Sequence, residues 1–384
     1  MIGGGVIGAA AALYLAAGTP RRPPRKTLLL EALTPGHERG SSHGDGRILR
    51  YTYSEPEYLE LARRAEAAWR DLAARARERL LIETGSWECA PAGAQALAEI
   101  SRGLESAGLP FERLDPEKSA RLFPQLRLEE GSEALYQPGG SVIRADAALE
   151  TLWRLAEAAG VAVETGLRAE SIERRGGLLR LEGAGLAIHA RCAVLAAGSW
   201  SGPLLAGLGC PLPLDVRRET VVYLTPRPGA SAQHRAGSMP AILDYHTERP
   251  FYALPQLRIP AVKIGWHRAG AAADPETPGE PAGIEEMGRW AARRLPELEG
   301  GPERATTCLY TNTPDYHFAL GAMPGTEGLA VAAGFSGHGF KFAPSLGEAA
   351  ADLACGLEPE IQTGLFALDR FRRPGAAAPR RSLA

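Results

Sequence analysis

Three groups of residues in this 384-residue chain have the types and spacing to do chemistry. The first is Gly3-x-Gly5-x-x-Gly8, which fits a G-x-G-x-x-G turn, with Glu31 following Gly8 at roughly the 20-residue spacing of a ribose-binding carboxylate. Gly3 permits a tight turn, Gly5 lets backbone approach a pyrophosphate, and Gly8 lets a helix pack close to a sheet. The N-terminus of that helix then faces the phosphate charge. The pattern points to dinucleotide binding, although taken alone it also fits an ordinary glycine-rich strand–helix turn. The second is Lys263, set among apolar residues in Ala261-Val262-Lys263-Ile264-Gly265-Trp266. Burying an ammonium is costly unless it is paired or functional. Lys263 is therefore either a functional group or a surface lysine on an edge strand. The third is the set of five cysteines, Cys89, Cys192, Cys210, Cys308 and Cys355. Their odd number, wide spacing and lack of C-x-x-C argue against a disulfide scaffold or a zinc site and suit a reducing compartment. By its chemistry alone Cys308 reads as a small buried hydrophobe.

The elements that must position these groups are legible in outline. Val6 to Ala17 reads as a small-residue helix, and Thr27 to Leu30 as a buried strand ending in Glu31. The basic run Arg21-Arg22-Pro23-Pro24-Arg25-Lys26 between them reads as a solvated loop. Only Met1 and Ile2 precede Gly3, where a strand of about 5–6 residues is expected. The expectation is a sheet without its central strand and poor cofactor binding. Apolar periodicity predicts helices over Pro56–Leu80, Ala94–Ala107, Ala145–Gly160, Ile284–Leu295 and Ser345–Cys355. Strands are expected at Val161–Glu164, Thr220–Leu224, Phe251–Leu254, Ala261–Trp266 and Leu329–Ala333, with a hairpin over Gly177–Ile188. Cys192–Gly198 reads as a buried strand leading to a turn, where a nucleotide domain resumes after an insertion.

Composition sets the outer bounds. The chain is 45% hydrophobic and 23% charged with a net charge of −2, close to average usage and enough for a large core. Nothing in that balance suggests nucleic acid or a membrane surface as partner. No apolar stretch reaches the ~18 residues of a membrane span, and the terminal Arg381-Ser382-Leu383-Ala384 is not a peroxisomal signal. Cytoplasm is the expected location. The fold class expected is α/β: a Rossmann-like nucleotide domain with an inserted, sheet-rich α+β substrate domain. The nucleotide domain is expected at 1–84, 146–214 and 296–373, the substrate domain at 85–145 and 215–295, and a disordered tail at 374–384.

Three longer motifs sharpen this reading. Gly40-Ser41-Ser42-His43-Gly44-Asp45-Gly46-Arg47-Ile48-Leu49-Arg50, Cys308-Leu309-Tyr310-Thr311-Asn312-Thr313-Pro314-Asp315 and Ala333-Gly334-Phe335-Ser336-Gly337-His338-Gly339-Phe340-Lys341-Phe342 occur in that order. Each resembles a segment of the monomeric sarcosine oxidases. The resemblance extends to the N-methyltryptophan and pipecolate oxidases and runs to about Phe371. The Cys308 run looks slightly closer to the pipecolate type. These are FAD-dependent amine oxidases that carry the flavin covalently, and the resemblance implies a thioether from Cys308 to the flavin 8α-methyl. Such attack needs a thiolate, for which Arg47 and His43 are the candidate cations. The resemblance places Arg50 and Lys341 on the substrate carboxylate and Tyr252 and His267 along the substrate pocket. It places Lys263 at the flavin as the oxygen-activating group. Tyr310, Ser41, Ser42, Ala169, Gly337, His338, Gly339 and Lys341 would join Gly3, Gly5, Gly8, Glu31 and Cys308 around the cofactor. Gly46 departs from the pattern, standing where a hydroxyl-bearing residue is usual.

The implied reaction is oxidation of a secondary amino acid to an imine, with electrons passed to oxygen to give hydrogen peroxide. The implied partners are a small amino acid and oxygen, with no metal, no nucleic acid and no membrane, acting on a monomer. Two alternatives stay open: a dehydrogenase using another acceptor, and a nucleotide-binding relic without activity.

Overall fold

The computed structural model describes residues 1–371; the expected tail at 374–384 lies outside them. Its first layer is a parallel sheet. Leu28–Glu31 pairs in parallel with Ala162–Thr165, and Ala193–Leu195 with Leu329–Ala333, which Ala319–Ala322 extends antiparallel. Ile2 lies between the first two pairs, bridged in parallel to Leu30 on one side and Leu195 on the other. Ile2 N–H donates to Val194 O at 3.0 Å, Leu30 N–H to Met1 O at 2.9 Å, Gly3 N–H to Leu30 O at 2.8 Å and Ala196 N–H to Ile2 O at 2.9 Å. The expectation of a missing central strand is therefore corrected. Three residues suffice because their ladder bonds run to both neighbours, which join the two halves of the sheet at the level of the glycine turn.

The helix Val6–Ala17 follows, with the bounds expected. Its alanines let it lie close against helix Ala343–Ala354, where a Cβ on Gly347 would come within 2.6 Å of the Ala10 Cβ. The basic run after this helix is not simply a solvated loop. Arg22 is 1% exposed, ion-paired with Asp352 and hydrogen-bonded to Tyr14 O at 2.9 Å. Its partner lies on a helix from the other end of the chain, so local composition could not reveal it.

The second layer is a nine-stranded mixed sheet. Its order is Ala271–Ala272, Asp215–Pro226, Val262–Trp266, Phe251–Leu254, Ala241–Asp244, Ser86–Pro91, Ser132–Gln137 and Glu112–Leu114. The ninth strand, Leu298–Asn312, lies along the other side of Asp215–Pro226. Ser86–Pro91 pairs in parallel with Ala241–Asp244, so two segments distant in the chain form one sheet. The 15-residue strand Leu298–Asn312 was not expected as a strand at all. Gly301-Pro302 masks it locally, and an edge position with register shifts tolerates that proline. Helix Ile284–Arg294 covers this sheet with Met287 and Trp290 in its core. Among the described residues no helix is long and apolar enough to cross a membrane.

Candidate active site

A cavity of about 810 Å³ extends from the glycine turn to the nine-stranded sheet. Its near end collects the carboxyl ends of the parallel strands: Gly3 to Gly5, Glu31 to Leu33, Ala196 to Gly198 and Gly334. Ligands of open α/β sheets bind at such strand ends. Of the cofactor and substrate residues expected from the sequence, Gly8 alone is absent from the lining, because it packs against Gly3 O behind the turn. A Cβ there would fall 1.9 Å from Gly3 O, and one on Gly3, whose φ is +98°, would fall 2.4 Å from Ala196 O. Glu31 fixes the turn: Oε2 accepts Gly4 N–H at 2.7 Å and Oε1 accepts Leu33 N–H at 2.9 Å. Each carboxylate oxygen keeps capacity for a hydroxyl donor. Ser42 reaches in from the first long motif, its Oγ accepting Val6 N–H at 3.0 Å at the helix N-terminus. Trp153, absent from the sequence-level site, donates from Nε1 to Gly4 O at 2.8 Å. Ala169 borders this end.

Gly8→Ala forces the turn or the helix to move, at a cost of about 1–3 kcal/mol or more. We expect the variant to emerge from gel filtration without bound dinucleotide while the parent retains it. Equal retention would show that the turn relaxes around the methyl.

The far end lies on the nine-stranded sheet. Thr306, Cys308 and Tyr310 alternate along Leu298–Asn312 and line the cavity, with Cys308 opposite Glu219 on Asp215–Pro226. Lys263 is not on an edge strand. It pairs with Tyr223 on one side and Leu254 on the other, is 5% exposed, and donates from Nζ to Gly46 O at 3.0 Å. Burial lowers its pKa to about 7, and Arg47 adds to that effect. Tyr252 stands opposite Gly265, where a Cβ would meet the phenol oxygen at 2.6 Å, so the glycine in Lys263-Ile264-Gly265 makes room for the ring. The Tyr310 ring lies over Gly337 in the same way, with 2.0 Å from the would-be Cβ, and its hydroxyl is 3.5 Å from His267 Nδ1. Gly46 also has a steric reason, since Leu257 and Val142 fill its side-chain space at 2.6 and 3.1 Å.

The charges differ from expectation in two ways. Arg47 knits its loop together, donating to Gly46 O at 2.9 Å, Ser41 O at 3.0 Å and His43 O at 2.6 Å, with its guanidinium 5.3 Å from the Phe340 ring. His43, however, is buried and its pKa falls to about 4, from desolvation first and Arg47 second. It is neutral near neutral pH, so the expected second cation is corrected. Arg47 and Lys263 are the cations that draw Cys308 toward thiolate, and burial outweighs them, holding its pKa above the usual thiol value. Ser41 bonds the Cys308 strand directly through Leu309 O.

Arg50 and Lys341 both reach the cavity, and both lie against the Tyr53 ring, 5.0 and 5.5 Å from its centroid. Arg50 Nη1 pairs with Glu88 at 3.1 Å and donates to Thr52 O at 2.8 Å. Tyr245 OH joins Glu88 Oε2 at 3.1 Å. Glu88, Thr52 and Tyr245 were not anticipated. An acid inside the apolar-looking strand Ser86–Pro91 was the available signal, because a buried carboxylate needs a partner. Lys341 Nζ donates to Tyr53 OH at 2.8 Å and His338 O at 3.0 Å, with no carboxylate partner among the described residues. Burial pushes its pKa well below the ordinary lysine value, and Arg50 and Arg268 push the same way. His338 is likewise held neutral by burial. A Cβ on Gly339 would fall 2.6 Å from the Phe335 Cβ.

A family model for FAD-dependent oxidoreductases matches residues 1–353. The chain belongs to this family. Similar FAD-dependent oxidoreductases include a monomeric sarcosine oxidase from Bacillus sp., 30% identical over 379 residues and 96% of each chain. An N-methyl-L-tryptophan oxidase from Salmonella newport is 32% identical over 381 residues, covering 97% of this chain and 98% of its own. The solved structure of NikD, an unusual amino acid oxidase essential for nikkomycin biosynthesis, shares the fold with a TM-score of 0.83 at 24% identity over 95% of both chains. The residues present fit FAD. Gly3 and Gly8 have no room for a Cβ where the backbone closes on itself and on Ala196, Glu31 holds the turn with oxygen lone pairs left for a hydroxyl, and one cavity joins both to Cys308.

Proposed function

We propose that this FAD-dependent oxidoreductase oxidises a secondary amino acid, N-methylated or cyclic, to the imine and delivers the electrons to oxygen as hydrogen peroxide. The observation that carries the reading is the convergence of Arg50, Lys341, Tyr252, Tyr310 and the desolvated Lys263 on the same cavity that reaches the glycine turn and Glu31. Bound FAD supplies the two-electron acceptor. The chain holds the substrate carboxylate between Arg50 and Lys341, which sets how the C–N bond faces the cofactor. Tyr252, Tyr310 and His267 border the amine side and exclude water from it. Lys263, while protonated, puts a positive charge beside the site where negative charge develops on oxygen, an electrostatic role strengthened by burial. Water then hydrolyses the released imine. Five free thiols support a reducing compartment.

Oxygen uptake tests the reading. With sarcosine, N-methyltryptophan, pipecolate and proline, at least one should drive uptake with stoichiometric peroxide. Anaerobic bleaching by amine with no oxygen uptake would instead mark a dehydrogenase.

We also propose that Cys308 holds the flavin as a thioether. Its position beside Arg47 and Lys263 supports this, since both favour the thiolate that attack requires. The flavin colour should stay with acid-precipitated protein and map to a peptide containing Cys308. In Cys308→Ser all of it should pass to the supernatant. Free FAD released from the parent protein would overturn the attachment without touching the oxidase reading.

A further inference from the structure

Part of the cavity wall is a single pass of chain that no motif singled out. Asp274, Pro275 and Glu276 line the cavity, and Asp274 and Glu276 are also exposed to solvent. The segment leaves Ala271–Ala272, the edge strand of the nine-stranded sheet. It is folded before it crosses to the other layer. Asp274 Oδ1 accepts Glu276 N–H at 2.9 Å, Oδ2 accepts the Thr277 hydroxyl at 3.0 Å, and Asp274 O accepts Thr277 N–H at 3.2 Å. Aspartate followed by proline suits such a turn. Arg218, from strand Asp215–Pro226, ties it down, donating to Thr277 O at 2.5 Å and Asp274 O at 3.3 Å.

The tip of this turn docks on the parallel-sheet layer through one carboxylate. Glu276 accepts from Arg168 through both oxygens, from Trp200 Nε1 at 2.9 Å and from Arg39 Nη2 at 3.1 Å. Arg39 also donates to Pro275 O at 3.2 Å, and its guanidinium lies 5.7 Å from the Trp200 ring. The three partners come from separate segments. Trp200 follows strand Ala193–Leu195. Arg168 follows Leu167, whose N–H donates to Glu31 O at 3.3 Å, and Arg39 precedes Gly40, whose carbonyl accepts Leu309 N–H at 3.3 Å beside Cys308. The tip thus crosses the cavity between its Glu31 end and its Cys308 end. Arg39 and Arg168 are exposed and Trp200 is half-buried. Exposed pairs of this kind are individually weak and screened by salt. A preformed turn held shut by such contacts can open without unfolding either sheet.

We propose that segment 274–277 is the clasp through which FAD enters and leaves the cavity, with Glu276 as its catch. Closed, the turn shuts the cavity over the cofactor. With Glu276 released from Arg39, Arg168 and Trp200, the tip swings away on its Arg218 anchor and exposes the span between Glu31 and Cys308. The inference rests on FAD occupying this cavity, not on the thioether or on the amine oxidised. A clasp obstructs passage in both directions, so weakening the catch speeds entry and exit together and leaves Kd nearly unchanged.

The test measures both rates in Cys308→Ser, where the flavin stays exchangeable; should the parent itself release free FAD, the parent serves in its place. Flavin fluorescence follows release on dilution and loading of the apoprotein. Adding Glu276→Gln should speed both rates at low salt by about tenfold or more, since three exposed contacts worth up to about fivefold each share that acceptor. Salt at about 0.5 M should bring the protein with Glu276 toward the variant and change the variant less. Trp200→Phe, which removes one hydrogen bond and leaves the charges, should speed both rates by a smaller factor. Arg168→Glu should restore part of the slowing lost in Glu276→Arg. Rates unchanged in Glu276→Gln overturn the proposal. Faster release with unchanged loading also overturns it, because Glu276 would then be a contact of bound FAD and not a gate. Neither rate involves amine or oxygen, so failure of the oxidase reading leaves this result intact.

Discussion

Replacing Lys263 by Met should slow reoxidation of the reduced enzyme by oxygen by about 10²–10³-fold, the usual effect of removing one preorganised electrostatic group. Reduction by amine under anaerobic conditions should stay close to the parent rate, because Lys263 bonds Gly46 O rather than Arg50 or Lys341, the proposed carboxylate anchors. The direction of the pH effect follows from burial. Lys263 loses its proton near pH 7 instead of at its ordinary value of 10.5. In the parent the oxygen step should therefore slow as pH rises through 7, and in Lys263→Met it should be flat. Stability provides the control. Between pH 7 and 10.5 the unfolded chain holds a proton that the folded chain has lost, so folding is favoured as pH rises through that window and penalised below it. Removing the ammonium should raise, not lower, the melting temperature at pH 6. Stopped-flow reoxidation that is equally fast in both proteins would sink the assignment, and a melting temperature that drops would attribute any loss to misfolding.

Lys263 also marks the limit of reading a sequence. Its apolar neighbours showed that a lysine was out of place, but a functional lysine and an edge-strand lysine produce the same local pattern. What separates them is pairing on both sides, with Tyr223 and Leu254, and pairing partners are set by the whole sheet. The glycine turn was legible because its requirements are local: Gly3, Gly8 and the helix Val6–Ala17 are neighbours in the chain and each glycine answers to backbone a few residues away, or to Ala196 across the sheet. The Glu88–Arg50–Thr52–Tyr245 cluster was legible only as an acid out of place in Ser86–Pro91, since three separate segments meet there and no local pattern names the partners. The same reason hid the Arg22–Asp352 pair behind a loop-like composition. Charge state was the least accessible property. His43 looks like a cation until its desolvation is known, and the thiolate that the resemblance implies for Cys308 meets burial that outweighs Arg47 and Lys263.

That weighing of charge leads to a second large effect, at Lys341. A substrate carboxylate arriving at Arg50 meets a guanidinium already neutralised by Glu88. The additional positive charge has to come from Lys341, whose ammonium is disfavoured in the free protein by burial and by Arg50 and Arg268. A carboxylate beside it reverses that preference. Binding should therefore draw in a proton at pH values above the lowered Lys341 pKa, and affinity should fall as pH rises. Lys341→Met should raise KM for the amino acid by about 10–150-fold, which corresponds to the ~1.5–3 kcal/mol of a hydrogen bond to a charged group. An amine lacking the carboxylate should be oxidised equally well, or equally poorly, by both proteins. Acetate, which binds a carboxylate site without being oxidised, permits a direct reading by calorimetry in two buffers of different ionisation enthalpy. The parent should show buffer-dependent heat and the variant none. Heat independent of buffer in the parent would mean that Lys341 is already protonated, and an unchanged KM would move the anchor to Arg50 alone.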